Sequence, residues 1–317
     1  NSKIDLSRIG VNFGAGIGGI ETIEKNKLLL EERGYKKVSP FFVPGSIVNM
    51  ISGLISIKHG FMGPNTSVVT ACSTGNHCIG TAARSIACGE ADVMIAGGAE
   101  MASTPLSMAG FIAARALSMN SDPQTASRPW HKDRDGFVLS DGAGSLVLED
   151  LDHAKARGAT IHAEVIGFGT SSDAHHMTAP PEDGRGAALS MTNAINDAEI
   201  DLSEVDYINA HGTSTPLGDI AETVALKRVF GQSVPQISST KSMTGHTLGA
   251  AGAIESIFCI QAINNGIIPP TINLDNPDPI CDLNYTPLVS IEKTVNVAMN
   301  NSFGFGGTNS TLVFKKI

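Results

Sequence analysis

Three side chains combine nucleophilic or proton-handling chemistry with turns that let backbone approach a ligand: Cys72, His211 and His246. Cys72 stands in Ser67-Val68-Val69-Thr70-Ala71-Cys72-Ser73-Thr74-Gly75-Asn76-His77-Cys78-Ile79-Gly80. A β-branched run meets a small-polar turn there, and Ile79, Ala82, Ala83, Ile86 and Ala87 then mark one face of a helix. A thiol at such a strand-to-helix turn faces free backbone N–H groups and the positive end of the helix. That setting predicts a lowered thiol pKa and a nucleophile. The competing reading is a packed core cysteine, since free cysteines are among the most buried residues. His211 and His246 each follow a strand, in Gly/Thr/Ser-rich turns. A lone histidine is more often structural; two at strand ends, where α/β sheets place their sites, point to chemistry. One thiol with two imidazoles suits an acyl group carried as a thioester, the imidazole N–H groups meeting a carbonyl where enolate charge develops. A Cys–His protease would need a third residue to orient the base.

The elements that position these groups alternate. A strand at Ile9–Phe13 runs into Gly14-Ala15-Gly16-Ile17-Gly18-Gly19, a charged helix spans Glu21–Arg33, and residues 46–59 regain helical periodicity. Gly14, Gly16 and Gly19 fit a dinucleotide fingerprint, but no acidic residue closes a second strand about 20 residues on. Asp92–Gly98 reads as a buried strand, residues 105–117 as helix, 119–135 as loop, and Gly136–Glu149 as two strands joined by a glycine turn. A short helix at 151–157 follows. The second run gives a strand at 161–169, a helix near 185–198, and a strand at Val205–Asn209 that delivers His211. A helix over 219–229, strand Gln236–Ser239, the turn to His246, a small-residue helix over 247–263 and a closing hairpin at 295–315 complete it. The closing hairpin echoes Gly136–Glu149 in layout, which suggests internal duplication. Strands alternating with helices imply a layered α/β fold.

Composition narrows the class. Of 317 residues 42% are hydrophobic and 17% charged, an ordinary globular balance. The formal net charge of −9 argues against broad nucleic-acid binding. No run approaches the roughly 18 apolar residues of a membrane span. Five cysteines, without metal-type spacing, suggest a reducing compartment. The expectation is a cytoplasmic protein.

Four motifs carry a resemblance: Thr70-Ala71-Cys72-Ser73-Thr74-Gly75, His211-Gly212-Thr213-Ser214-Thr215-Pro216-Leu217-Gly218-Asp219, Lys241-Ser242-Met243-Thr244-Gly245-His246 and Asn301-Ser302-Phe303-Gly304-Phe305-Gly306-Gly307-Thr308-Asn309. In this order and spacing they resemble the β-ketoacyl-[acyl-carrier-protein] synthases, above all the elongating enzymes of bacterial fatty acid synthesis. The resemblance implies a thiolase-like fold, a duplicated five-layer α-β-α-β-α core, with halves at residues 1–158 and 159–317, working as a homodimer. It implies decarboxylative condensation of malonyl units carried on acyl carrier protein, with no cofactor beyond the carrier's phosphopantetheine and no metal. Cys72 would hold the acyl group, and His211 and His246 would stabilise the malonyl enolate. The N–H groups of Cys72 and Phe305 would form an oxyanion hole. Lys241 and Glu255 would support the second histidine, and Phe305 would gate the site. Thr213 and Thr215 would bind the pantetheine arm, Ile17 would line the acyl pocket, and His176 and Thr178 would lie near its mouth. Lys36, Lys37 and Arg115 match carrier-docking positions.

A thiolase would need a second cysteine where Phe305 stands, and a non-catalytic chain-length subunit would lack Cys72. A polyketide ketosynthase shares the motifs and stays open. Relatives also carry about 90 residues, a typical fraction of a half-domain, ahead of the position matched by Asn1. The first half, short of a strand, is therefore expected to leave a bare sheet edge near Ile9–Phe13.

Overall fold

The computed structural model describes residues 5–317. β1 (Ile9–Gly14) leads through the glycine turn into α1 (Ile20–Arg33), the short α2 (Phe42–Ser46), α3 (Met50–His59) and β2 (Asn65–Thr66). α4 (Thr74–Ala87) opens just after Cys72. It is followed by β3 (Val93–Glu100), α5 (Pro105–Ala113), β4 (Gly142–Glu149) and α6 (Leu151–Ala156). Then come β5 (Glu164–Ser172), α7 (Arg185–Ala198), β6 (Tyr207–Asn209), α8 (Pro216–Phe230), β7 (Gln236–Ser238), α9 (Lys241–Thr244) and α10 (Ala251–Asn265). A two-stranded ribbon, β8 (Ile267–Ile268) with β9 (Ile291–Glu292), precedes the hairpin β10 (Val297–Gly304) and β11 (Thr308–Lys315).

One sheet runs β2-β1-β3-β4 and the other β7-β6-β10-β11-β5. In the first, β2, β1 and β3 are parallel and β4 is antiparallel; in the second, β7, β6 and β10 are parallel and β11 is antiparallel. Four strands thus repeat in order and direction, and β5 extends the second sheet beyond them. α4 and α10 pack against each other between the sheets, α3 covers the first sheet, and α7 with α8 covers the second. This is the five-layer, duplicated α-β-α-β-α fold of the thiolase type.

The middle layer is tight because its helices meet at glycines. A Cβ on Gly75 would lie 2.5 Å from the Ala253 nitrogen, and one on Gly252 2.6 Å from Asn76 Oδ1. Alanine at either place would push the helices apart, at about 1–3 kcal/mol for overpacking. Asn300 on β10 donates to Asn76 Oδ1 (3.0 Å) and to the Gly252 carbonyl (2.7 Å), tying that seam to the second sheet. Around it, Ile79, Met94, Phe168, Tyr207 and Phe314 form the core between the sheets.

Three expectations are corrected. β1 is an inner strand with every residue buried, paired with β3 on one side and β2 on the other, so it is not itself a bare edge. Among the described residues the first sheet ends in β4 on one side, where Val147 is 63% exposed, and in the two-residue β2 on the other. Residues 136–141 are not half of a hairpin. β4 pairs with β3 over its whole length, so 136–141 lack an antiparallel partner and run beside the site, bridging Leu117 and His246. The strand before Cys72 stops at Thr66. From Ser67, whose hydroxyl bonds the Phe13 carbonyl at 2.6 Å, the chain leaves the sheet edge to reach the cavity.

Candidate active site

The repeated topology delivers its reactive groups to one place. Gly16 and Ile17 follow β1 and His211 follows β6; Cys72 precedes α4 and His246 precedes α10, the two helices of the middle layer. All of them line a cavity of about 530 Å³. Phe111, Arg115, Phe137, His176, Thr178, Thr213, Thr215, Phe303 and Phe305 complete much of its wall.

Cys72 sits in a single 3₁₀ turn whose first residue, Ala71, has φ 48°, a conformation that a β-carbon disfavours. The turn is held by Thr74, whose hydroxyl accepts from the Thr70 N–H (2.9 Å) and donates to the Ala71 carbonyl (2.8 Å). Ser73 Oγ reaches the Ser302 and Thr308 carbonyls (2.9 and 2.8 Å), locking the nucleophile's turn to the β10–β11 hairpin. Burial pushes the Cys72 thiol up to about 11. The Lys241 charge and the backbone N–H groups of Phe305 and of Cys72 itself pull the other way. The expectation of a lowered pKa is therefore wrong in sign. Cys72 is buried, and the cost of desolvating a thiolate there exceeds what the amides and Lys241 return. Those same N–H groups nevertheless face the sulfur, where the oxyanion of an acyl transfer would form.

The two imidazoles stand 5.4 Å apart, nearly perpendicular at 87°. His211 packs on Phe303 at 5.6 Å and His246 edges onto Phe137 at 5.2 Å. Burial, and then the positive Lys241, hold both well below the usual histidine range, so both rings are neutral at physiological pH. Neither Nδ1 has a hydrogen-bond partner. His246 is fixed through its backbone, donating to the Val138 carbonyl (2.7 Å) and accepting from Ser140 (3.1 Å). Behind the rings Lys241 and Glu255 form a buried ion pair, with the Glu255 carboxyl raised to about 7 by burial.

Some contributors escaped the sequence reading. Glu222 on α8 accepts from the backbone N–H groups of His211 (2.9 Å) and Gly212 (2.8 Å), fixing the turn that presents the first imidazole. The readable signal is that Asp219 and Glu222 share the helix face of Ala225 and Leu226, and acids on an apolar face are rarely buried unless something there needs them. Arg134, also buried, donates to the Thr215 (3.1 Å) and Pro216 (2.8 Å) carbonyls and to Asp278 (2.9 Å). It pins the turn that carries Thr213 and Thr215, whose hydroxyls are 3.1 Å apart.

Of the remaining expected residues, His176 lies on the wall with its Nδ1 accepting from the Thr178 (3.1 Å) and Ala179 (3.2 Å) N–H groups. That places its proton on Nε2. Phe305 stands half-open at the mouth, 37% exposed. Arg115 reaches the cavity rim, whereas Lys36 and Lys37 are exposed on a 3₁₀ turn that does not line it. Among the described residues no cluster of three or more His, Cys, Asp or Glu side chains is arranged to hold a metal ion. No helix among them is long and apolar enough to cross a membrane.

Known proteins resemble the chain over nearly its whole length. The model of the β-ketoacyl synthase N-terminal domain matches residues 1–154, and that of the C-terminal domain residues 162–275. The chain is 58% identical over 318 residues to 3-oxoacyl-[acyl-carrier-protein] synthase 2 of Vibrio cholerae, covering 99% of this chain and 77% of that protein. It is 53% identical over 320 residues to the mitochondrial 3-oxoacyl-[acyl-carrier-protein] synthase of Arabidopsis thaliana, covering 99% and 69%. Among solved structures, a type II polyketide ketosynthase in complex with its acyl carrier protein superposes with a TM-score of 0.96 at 37% identity, covering 99% and 79%. A β-ketoacyl synthase from Burkholderia phymatum superposes at 0.93 with 38% identity, covering 100% and 78%.

Proposed function

The chain belongs to the β-ketoacyl synthase family, and from that premise we propose how its cavity divides the work of condensation. The enzyme is an acyltransferase of the 3-oxoacyl-[acyl-carrier-protein] synthase type, elongating fatty acyl chains. The observation that carries the assignment of roles is that Cys72, His211 and His246 share one cavity, with two backbone N–H groups on the sulfur.

In the first half-reaction the Cys72 thiolate attacks the thioester carbonyl of an acyl group on carrier-bound pantetheine. The new S–C bond forms, the old one breaks, and the carrier's thiolate leaves with the proton that Cys72 gave up. The N–H groups of Cys72 and Phe305 hold the oxyanion of the tetrahedral intermediate. In the second, malonyl pantetheine lies along Thr213 and Thr215 with its thioester carbonyl between the imidazoles. The bond to the carboxylate breaks, CO2 departs, and the electron pair moves into an enolate held by two neutral N–H donors. The enolate carbon then attacks the Cys72 thioester; a C–C bond forms, the C–S bond breaks, and the thiolate recovers a proton. Neutral rings suit this role, because an imidazolium would risk protonating the carbanion, whereas a neutral N–H only shares its charge.

The reading also divides the chain into halves at 1–158 and 159–317, a division that the repeated strand order supports. Acyl carrier protein is the partner in this reading, docking near Arg115 at the rim, and its phosphopantetheine brings both substrates. A second copy of the chain pairs along the outer edge of β2, beside which Leu54, Ile57 and Met62 are exposed. The compartment is the cytoplasm. The polyketide alternative draws on the 0.96 superposition, but identity is lower there (37%) than to the Vibrio cholerae enzyme (58%). Incubation with acyl- and malonyl-carrier protein should release CO2 and yield a 3-oxoacyl product two carbons longer. Absence of that product with both carriers loaded would overturn the assignment.

A further inference from the structure

The glycine turn after β1 does not offer its amides to a ligand. Its N–H groups converge on one carboxylate at the end of β3. The Gly16 and Gly249 N–H groups donate to Glu100 Oε2, the latter at 3.0 Å, and those of Ile17 (3.0 Å) and Gly18 (3.1 Å) donate to Oε1. Glu100 is buried, 4% exposed. Two amides on each oxygen use up both ends of the carboxylate, and such charge-assisted bonds are the strong ones. The donors come from two different places: residues 16–18 carry the apolar wall at Ile17, and Gly249 lies in the turn that runs on from His246. A Cβ on Gly249 would lie 2.3 Å from the Gly16 nitrogen, so the two turns are stacked backbone to backbone with Glu100 as their common acceptor.

We propose that Glu100 is a positioning residue that sets acyl-chain selectivity, by fixing Ile17 against the cavity and registering it to the His246 turn. The proposal rests on the reading of the cavity as the acyl site. Ile17 is 38% exposed, so packing holds its side chain only in part and the position of its backbone matters. Glu100→Gln puts an NH2 group against two amide donors and loses the acceptor there, which lets the turn move while side-chain volume stays the same.

The test is the rate of Cys72 acylation by carrier-linked acyl groups of short and long chain, read by intact mass. Glu100→Gln should change the long-to-short ratio of kcat/KM about tenfold, the scale on which a displaced methylene alters an apolar pocket. In an Ile17→Ala background the same substitution should change it by less than about twofold, because residues acting through one another are not additive. A uniform fall for all chain lengths, or an equal effect of Glu100→Gln with and without Ile17, would mark Glu100 as a purely structural group and overturn the proposal. If Glu100→Gln does not fold, Glu100→Asp decides: it keeps the charge, retracts it, and should shift the ratio in the same direction, an unchanged ratio overturning the inference. Failure of the wild-type chain to become acylated on Cys72 would instead overturn the functional reading.

Discussion

Lys241→Met removes one buried positive charge while keeping most of the side-chain volume, and its consequences separate into stability and chemistry. Lys241 and Glu255 are 1% and 2% exposed, so the substitution strands a carboxylate in the interior. Breaking a buried pair from one side costs about 3–5 kcal/mol, whereas replacing both partners by well-packed hydrophobic groups of similar volume is often neutral or stabilising. Lys241→Met should therefore be strongly destabilised, and Lys241→Met with Glu255→Leu should recover most of the loss. The deficit depends on pH in a definite sense. The Glu255 carboxyl already sits at about 7 in the fold, above its ordinary value, so its contribution is retained below the unfolded pKa and lost as pH rises through the folded one. Without Lys241 it climbs further, and denaturant unfolding should show a larger deficit at about pH 8 than at about pH 6. The chemistry does not recover in the double variant, because Lys241 is also what holds the Cys72 thiol down against burial. Each further unit of pKa leaves about tenfold less thiolate. Alkylation of Cys72 by iodoacetamide at about pH 8 should be slower by about that factor in both variants. Wild-type alkylation rates in Lys241→Met, or a double variant no more stable than the single one, would refute this reasoning.

His211→Ala and His246→Ala should each lower CO2 release from malonyl-carrier protein by about 10²–10³-fold while affecting acylation of Cys72 far less, by analogy with oxyanion-hole donors; equal losses in both steps would contradict the separation of roles. With the thiol raised to about 11, wild-type alkylation should rise about tenfold per pH unit between about pH 7 and pH 9 without levelling; a plateau below about pH 8 would show a thiolate already formed. Because both imidazoles titrate well below the usual range, CO2 release should stay flat as pH falls from about 7.5 to about 6.5; a loss centred near the ordinary histidine pKa would contradict neutral rings. Charge reversal at Lys36, Lys37 and Arg115 should raise KM for carrier-linked substrate, more so at low salt, and spare small thioesters; an unchanged KM would place docking elsewhere, and an effect confined to Arg115 would agree with its position at the rim.

Much of the site was legible in the sequence because its parts are local. Cys72, His211, His246 and Phe305 each sit in a strand-to-turn segment whose small residues announce close backbone approach, and the structure gathers all of them at one cavity. Helix α7 coincides with the span read from periodicity, 185–198, since its apolar face is continuous. What local pattern could not give is what depends on pairing at a distance. The partner of β4 is β3, beyond a long excursion, so Gly136–Glu149 looked like a hairpin although only its second part is a strand. The thiol's pKa was misjudged because a motif shows the amides around a cysteine but not how deeply the fold buries it. Glu100, Glu222 and Arg134 were missed for a shared reason: each acts by binding the backbone of a turn outside its own segment, and a single charged residue in a strand, helix or loop does not show where its hydrogen bonds go.

The claim on which the rest depends is that Cys72 carries the acyl chain. Intact-mass analysis after incubation with acyl-carrier protein alone, without a malonyl donor, tests it most directly. The wild-type chain should gain the mass of one acyl group less one hydrogen, and Cys72→Ala should gain nothing, although Cys78, Cys88, Cys259 and Cys281 remain as free thiols. A single adduct that persists in Cys72→Ala would contradict the account.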